Sequence, residues 1–113
     1  MTDLHTAATF ELVATLADLA PGQLLGVVKS DGERVCLVNL DGEILAVSDV
    51  CTHQDFPMSE GCIVKGQIEC AWHGARFDCH TGRATHPPAD DPLPRYAVRV
   101  EDDGRIFVGG RLP

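Results

Sequence analysis

The chain has 113 residues, 44% of them hydrophobic, and its 17 acidic and 9 basic residues give a formal charge of −8. This length suits one domain with a modest core, so we expect residues 1–113 to form a single domain. The negative charge argues against a nucleic-acid partner, because a phosphate backbone requires a basic surface. Neither a secretory signal nor an apolar run long enough to cross a membrane occurs, and we therefore expect a cytoplasmic protein with no membrane contact.

Short runs with strand-like composition recur along the chain and are separated by turn residues. Asp31-Gly32, Asp41-Gly42 and Asp103-Gly104 are hairpin-type dipeptides. Between the turns, only Leu16–Pro21 has the character of a short helical turn. The pattern predicts an all-β fold, an antiparallel barrel or sandwich. The predicted strands are Phe10–Ala14, Leu24–Lys29, Arg34–Asn39, Glu43–Ser48, Gln67–Cys70, Ala75–Asp78, Arg95–Glu101 and Arg105–Val108.

The interval from about residue 49 to residue 89 differs from the rest of the chain. Its strands are shorter, and it holds all but one of the cysteines and all but one of the histidines. We interpret it as a small binding subdomain inserted into the β-fold. The chain has 5 cysteines, an odd number that excludes complete disulfide pairing. Cys36 lies outside the interval in a Val-Cys-Leu-Val run, and we expect it to be a buried small hydrophobic residue.

Two short segments in this interval each pair a thiol with an imidazole. They are Cys51-Thr52-His53 and Cys70-Ala71-Trp72-His73. Two kinds of metal site use these residue types: a 2Fe-2S cluster with two cysteines on one iron and two histidines on the other, and a structural Cys2His2 zinc site. Zinc ligands more often come as a cysteine pair and a histidine pair, so the mixed segments favour the cluster.

The segments resemble the Rieske 2Fe-2S family, and in particular its oxygenase-associated ferredoxins. The resemblance continues through His73-Gly74-Ala75-Arg76-Phe77-Asp78, Thr81-Gly82 and Pro87-Pro88-Ala89, and covers about residues 49–93. It implies one 2Fe-2S cluster, a glycine after the second histidine ligand and a proline-rich loop that closes over the cluster. The implied ligands are Cys51, His53, Cys70 and His73.

The high-potential respiratory members of this family carry a further cysteine in each ligand loop, joined as a disulfide, and a serine and a tyrosine that hydrogen-bond cluster sulfur. Phe56 and Trp72 occupy the first two positions here, and Ala75 and Phe77 occupy the other two. Phe56 and Trp72 cannot form the disulfide, and the side chains of Ala75 and Phe77 cannot donate a hydrogen bond to cluster sulfur. The resemblance therefore implies a potential near the lower end of the Rieske range of about −150 to +300 mV.

The resemblance implies an electron carrier without catalytic residues or a small-molecule substrate. It would pass single electrons from a flavoprotein reductase to a terminal aromatic-ring dioxygenase, as a component of aromatic hydrocarbon catabolism. Two alternatives remain open: the ferredoxin of a multicomponent di-iron monooxygenase, and the small Rieske-like subunit of an assimilatory nitrite reductase.

The other two cysteines and two histidines of the interval lie outside the ligand pattern. We interpret Cys62 and Cys79 as structural thiols, with a disulfide between them as the alternative. His80 and His86 are expected at the surface. His86 immediately precedes the proline-rich loop, which suggests a place near the cluster tip or on a surface that contacts a partner.

Overall fold

The computed structural model describes residues 10–52, 56–71, 74–87 and 91–113. These residues form ten strands and two short 3-10 turns, Leu16–Asp18 and Met58–Glu60. No helix among them is long and apolar enough to span a membrane. The strands are β1 (Glu11–Thr15), β2 (Leu24–Val28), β3 (Arg34–Leu40), β4 (Glu43–Ser48), β5 (Cys62–Val64), β6 (Gln67–Glu69), β7 (Arg76–Asp78), β8 (Ala84–His86), β9 (Tyr96–Val100) and β10 (Arg105–Arg111).

The strands form three antiparallel sheets, ordered β1-β10-β9, β2-β3-β4 and β5-β6-β7-β8. The first two enclose a common core between them. A β-bridge between Val47 and Arg95 joins β4 to the sheet that contains β9, and the N–H of Ser48 donates to the carbonyl of Pro94 at 2.8 Å. The predicted all-β antiparallel architecture is confirmed. Buried members of this core include Ala14, Val35, Leu37, Ile106 and Val108.

Strand β3 separates this core from a second one. Alternate side chains of a strand point to opposite faces. Val35 and Leu37 belong to the core between the first two sheets, whereas Cys36 and Val38 belong to the second core on the other side. Both faces of β3 are therefore covered, and Cys36 is fully buried as predicted.

The third sheet, β5 to β8, packs on the second core and forms the inserted subdomain. Ile68 and Phe77 lie opposite each other on neighbouring strands, and both are fully buried. Met58 and Leu93, from the segments before and after this sheet, complete the same core. The subdomain thus shares a hydrophobic core with the outer face of β2-β3-β4.

Two strands of the subdomain, β5 and β8, were not predicted. The turn between β5 and β6 is Lys65-Gly66, with φ of 50° and 79°, which is a hairpin geometry without the usual Asn-Gly or Asp-Gly signal. β8 has only three residues, and two of them are exposed, so no alternation of apolar and polar residues marks it. The predicted hairpin dipeptides were confirmed, and the helical turn predicted over Leu16–Pro21 is a shorter 3-10 turn, Leu16–Asp18.

Candidate metal centre

The first predicted ligand segment begins where a short antiparallel ladder opens into a loop. Val50 and Pro57 form a β-bridge. One position further along, the N–H of Cys51 donates to the carbonyl of Phe56 at 3.0 Å. Cys51 is therefore the last residue fixed by the ladder before the loop, and Phe56 is the first one after it.

The second segment is built in the same way. Glu69 on β6 pairs with Arg76 on β7, and the N–H of Cys70 donates to the carbonyl of Ala75 at 2.8 Å. The N–H of Gly74 also donates to the carbonyl of Cys70 at 3.2 Å, and Gly74 has a φ of 74°, in the left-handed region that glycine adopts at low cost. In both segments the cysteine bonds to the residue five positions later.

The two cysteines converge on one apolar environment. Cys51 is 2% exposed and Cys70 is 3% exposed, and both belong to the core that contains Met58 and Phe77. A thiolate in such surroundings is costly unless a positive charge compensates it. Two buried thiols at matched positions fit the sulfur ligands of a metal centre, because the metal supplies that charge.

The predicted imidazole ligands, His53 and His73, lie outside the described residues. By sequence they fall within the two loops, two residues after Cys51 and three residues after Cys70. Within the part of the chain that is described, no group of three or more His, Cys, Asp and Glu side chains is placed to hold a metal ion. The structure therefore brings the thiol half of the predicted ligand set into one core.

A buried carboxylate braces the base of the first loop. Asp49 is 7% exposed; its Oδ1 accepts the N–H of Ser59 at 2.6 Å, and its Oδ2 accepts the hydroxyl of Ser59 at 3.0 Å. Burial raises the pKa of the Asp49 carboxyl, and the hydrogen bonds from Ser59 oppose this shift. A Cβ at Gly26 on β2 would lie 2.8 Å from Asp49 Oδ2, so the brace fits directly against the strand. Sequence reasoning missed this role, since only the position of Asp49 near a ligand hinted at it.

The first loop is also tied to the chain that follows the proline-rich segment. The hydroxyl of Thr52 donates to the carbonyl of Asp91 at 3.0 Å. Pro87 is exposed, and residues 88–90 lie outside the described part of the chain. The predicted closure of this segment over the site stays a prediction, but its far end is attached to the first loop.

The positions that carry hydroxyl donors in high-potential members are both buried here. Ala75 and Phe77 are each fully buried and belong to the same core as the cysteines. Neither side chain has a hydrogen-bond donor. Phe56 packs at the edge of this core, whereas Trp72 lies outside the described residues. The low reduction potential implied by these residues stays a prediction.

Cys62 and Cys79 are both free, so the alternative of a disulfide between them is not realised. Cys79 is buried, and burial raises the pKa of its thiol to about 11, which makes it an inert structural thiol as predicted. Cys62 is exposed on the edge strand β5. The interpretation of Cys62 as a structural thiol was wrong, because the missed strand β5 turns this residue to the outer face of the sheet.

The two histidines after β7 are exposed, as predicted. His80 Nε2 lies 2.9 Å from Glu43 Oε1, which links the β7–β8 turn to β4. His86 ends β8 and pairs with Arg76 in the sheet. Glu60 and Asp91 are exposed acidic residues, whereas Asp55 and Asp90 lie outside the described part.

A family profile and several known proteins are similar to this chain over most of its length. The profile of the Rieske [2Fe-2S] domain matches residues 9–97. The biphenyl dioxygenase ferredoxin subunit of Pseudomonas sp. strain KKS102 is 36% identical over 94 residues, which cover 82% of this chain and 85% of that protein.

Solved structures share the fold over almost the whole chain. A chain in the complex of reduced oxygenase and oxidised ferredoxin of carbazole 1,9a-dioxygenase superposes with a TM-score of 0.85 at 28% identity, covering 93% of this chain and 96% of that one. A chain described as the small subunit of an NADH-dependent nitrite reductase from Mycobacterium tuberculosis gives a TM-score of 0.78 at 27% identity, covering 88% and 93% of the two chains.

Proposed function

Since the chain belongs to the Rieske [2Fe-2S] domain family, we propose that Cys51, His53, Cys70 and His73 hold its cluster. In this arrangement the two thiolates would bind one iron and the two imidazoles would bind the other. The observation that carries the proposal is the matched placement of Cys51 and Cys70, in two loops closed by equivalent hydrogen bonds and buried in one core. A structural zinc site would use the same four residues, but the family match favours the cluster.

When bound, the cluster supplies the capacity to take up and release one electron. The chain's own residues then have two tasks. Cys51 and Cys70 keep the sulfur side of the site within the apolar core and away from water. The brace between Asp49 and Ser59 and the bond from Thr52 to Asp91 hold the first loop in place, so that little rearrangement accompanies the change of charge.

We further propose that the electrons come from a flavoprotein reductase and go to a terminal aromatic-ring dioxygenase. The relative from Pseudomonas is named as the ferredoxin subunit of a biphenyl dioxygenase, and the carbazole dioxygenase ferredoxin was solved in complex with its oxygenase. This chain covers most of the length of both. The cytoplasmic location and the single domain over residues 1–113 are parts of the same proposal.

A second candidate is the small subunit of an assimilatory nitrite reductase, because a chain with that description shares the fold at a TM-score of 0.78. The two candidates differ in how the protein is used. A ferredoxin meets its reductase and its oxygenase in turn, whereas a small subunit stays bound to one large subunit. The ferredoxin of a di-iron monooxygenase would behave as the first candidate does, with a different terminal partner.

Reconstitution with purified components tests the proposal. The reduced protein is mixed with the oxygenase component of a biphenyl or naphthalene dioxygenase, and oxidation is followed by visible absorbance in a stopped-flow instrument. We expect one electron per ferredoxin to be delivered, with turnover sustained by a flavoprotein reductase and NADH. A stable one-to-one complex with a nitrite reductase large subunit, together with no electron delivery to any oxygenase, would overturn the dioxygenase assignment.

A further inference from the structure

A row of polar side chains crosses the outer face of the third sheet at the end where the second loop begins. Cys62 lies opposite Glu69, Glu69 opposite Arg76, and Arg76 opposite His86. Directly opposite residues of antiparallel strands share one face of the sheet. The neighbouring residue Ile68 is fully buried on the other face, so the row faces away from the core.

Arg76 is held in this row by charge without a hydrogen bond at Nε. Its Nε lies 3.6 Å from Glu69 Oε1, and the side chains of Arg76 and Glu69 are 36% and 27% exposed. The Nε atom itself is buried and has no hydrogen-bond partner among the described residues. The guanidinium is therefore a partly desolvated positive charge paired with Glu69, and solvent screens it less than a fully exposed one.

Glu69 reaches the second loop with its other oxygen. A Cβ built on Gly74 would lie 3.4 Å from Glu69 Oε2, so the carboxylate lies beside the backbone of the residue that follows His73. Arg76 directly follows Ala75, whose carbonyl closes the same loop onto Cys70. A positive and a negative charge thus stand together at the base of the loop that carries half of the proposed ligands.

We propose that the Glu69–Arg76 pair tunes the reduction potential of the site, with Arg76 favouring the reduced state and Glu69 favouring the oxidised state. The proposal rests on the cluster ligation proposed above. One electron arriving from the flavoprotein reductase adds one negative charge to the site, and no bond forms or breaks. A fixed positive charge nearby attracts that added charge and a negative charge repels it. Both residues would act through the electric field that their charges produce at the cluster, without touching it.

Four variants test this by measurement of the midpoint potential. Arg76→Gln should lower it and Glu69→Gln should raise it, each by a threefold to tenfold change in the equilibrium constant of reduction, where tenfold corresponds to about 59 mV for one electron. Arg76→Lys should stay near the wild type because it keeps the charge. Arg83→Gln, which removes an exposed positive charge from the same subdomain, is the matched control and should shift the potential less than Arg76→Gln.

The opposite signs separate tuning from a merely structural role, which would move both variants in the same direction and lower their cluster content. Equal shifts for Arg76→Gln and Arg83→Gln, or shifts of the same sign for the two members of the pair, would overturn the inference. If Arg76→Gln does not retain its cluster, the isosteric Glu69→Gln decides alone: a rise supports the inference, and no change or a fall refutes it. Absence of a Rieske spectrum in the wild type would instead refute the proposed function.

Discussion

Cys51 and Cys70 occupy equivalent positions in two hairpins, since the N–H of each donates to the carbonyl of the residue five positions later, at 3.0 Å and 2.8 Å. Their side chains are 2% and 3% exposed and meet in one core. The described ends of the two predicted ligand loops are thus closed by equivalent hydrogen bonds, whereas the loops differ in sequence and in the spacing from cysteine to histidine.

The bond from Thr52 to Asp91 should slow loss of the cluster. Thr52→Val keeps the shape of the side chain and removes the donor to the Asp91 carbonyl. A hydrogen bond of this kind contributes about 0.5–1.5 kcal/mol, or about 2- to 10-fold in a rate. We expect the visible absorbance of Thr52→Val to bleach faster by that factor in the presence of an iron chelator. Thr52→Ser retains the hydroxyl and should bleach at the wild-type rate; equal rates for both variants would argue against the tie.

The brace at Asp49 should make a large contribution to folding stability. Asp49→Ala leaves the N–H and the hydroxyl of Ser59 without their acceptors in a partly buried position. We expect it to lower the free energy of unfolding by about 1–3 kcal/mol in urea titrations. Ser59→Ala should cost less, because the N–H bond to Asp49 is kept. Asp102→Ala, at an exposed position, is the control and should change stability by no more than about 0.5 kcal/mol.

Gly82 should tolerate substitution less well than a glycine in a similar backbone conformation. Gly82 and Gly32 have φ of 77° and 89°, so alanine at either position has the cost of a left-handed conformation, about 1–2 kcal/mol. A Cβ at Gly82 would also collide with the carbonyl of Leu93, whereas one at Gly32 meets nothing within 4 Å. We expect Gly82→Ala to be less stable than Gly32→Ala by about 1–3 kcal/mol in the same titration. Equal losses of unfolding free energy in Gly82→Ala and Gly32→Ala would show that the turn at Gly82 relaxes to remove the clash with Leu93.

The turn after β7 should make stability depend on pH through Asp78. The hydrogen bond from the N–H of Thr81, and then that from His80, holds the pKa of the Asp78 carboxyl below its ordinary value. A lowered pKa in the folded state adds stability that is complete above the ordinary aspartate pKa and is lost as the pH falls through the folded value. Asp78→Ala should therefore be less stable than the wild type by about 1–2 kcal/mol at pH 7.

This difference between Asp78→Ala and the wild type should narrow below about pH 4, the ordinary pKa of aspartate. Asp78→Asn is the control, because it keeps an acceptor oxygen but has no titrating charge. The contribution of residue 78 to stability should then not depend on pH. Parallel curves of unfolding free energy against pH for the wild type and Asp78→Asn, between pH 7 and pH 3, would show that Asp78 does not cause the pH dependence.

The sequence was sufficient to predict the all-β fold, because short runs of strand-like composition and hairpin dipeptides such as Asp41-Gly42 report local geometry directly. The spacing of Cys51 and Cys70 to histidine also predicted them as metal ligands, and the structure places both in one core. Strand β5 was not predicted, because the Lys65-Gly66 turn that follows it lacks the usual hairpin composition. The exposure of Cys62 on that strand was missed for the same reason.

The long-range contacts of the site were not predictable in the same way. The tie from Thr52 to Asp91 joins residues 39 positions apart, and the brace from Asp49 to Ser59 depends on where a 3-10 turn packs. The polar row through Glu69 and Arg76 follows from strand register, which composition alone leaves undetermined. Tertiary packing decides such contacts, and local sequence carries little signal for them.

Pulsed electron paramagnetic resonance of the dithionite-reduced protein is the decisive test of whether two cysteines and two histidines hold one 2Fe-2S cluster. We predict a spin-one-half signal with hyperfine coupling to two imidazole nitrogens, from His53 and His73, that respond to labelling of histidine with nitrogen-15. A protein without any such signal, or a signal without coupling to histidine nitrogen, would rule out this ligand set.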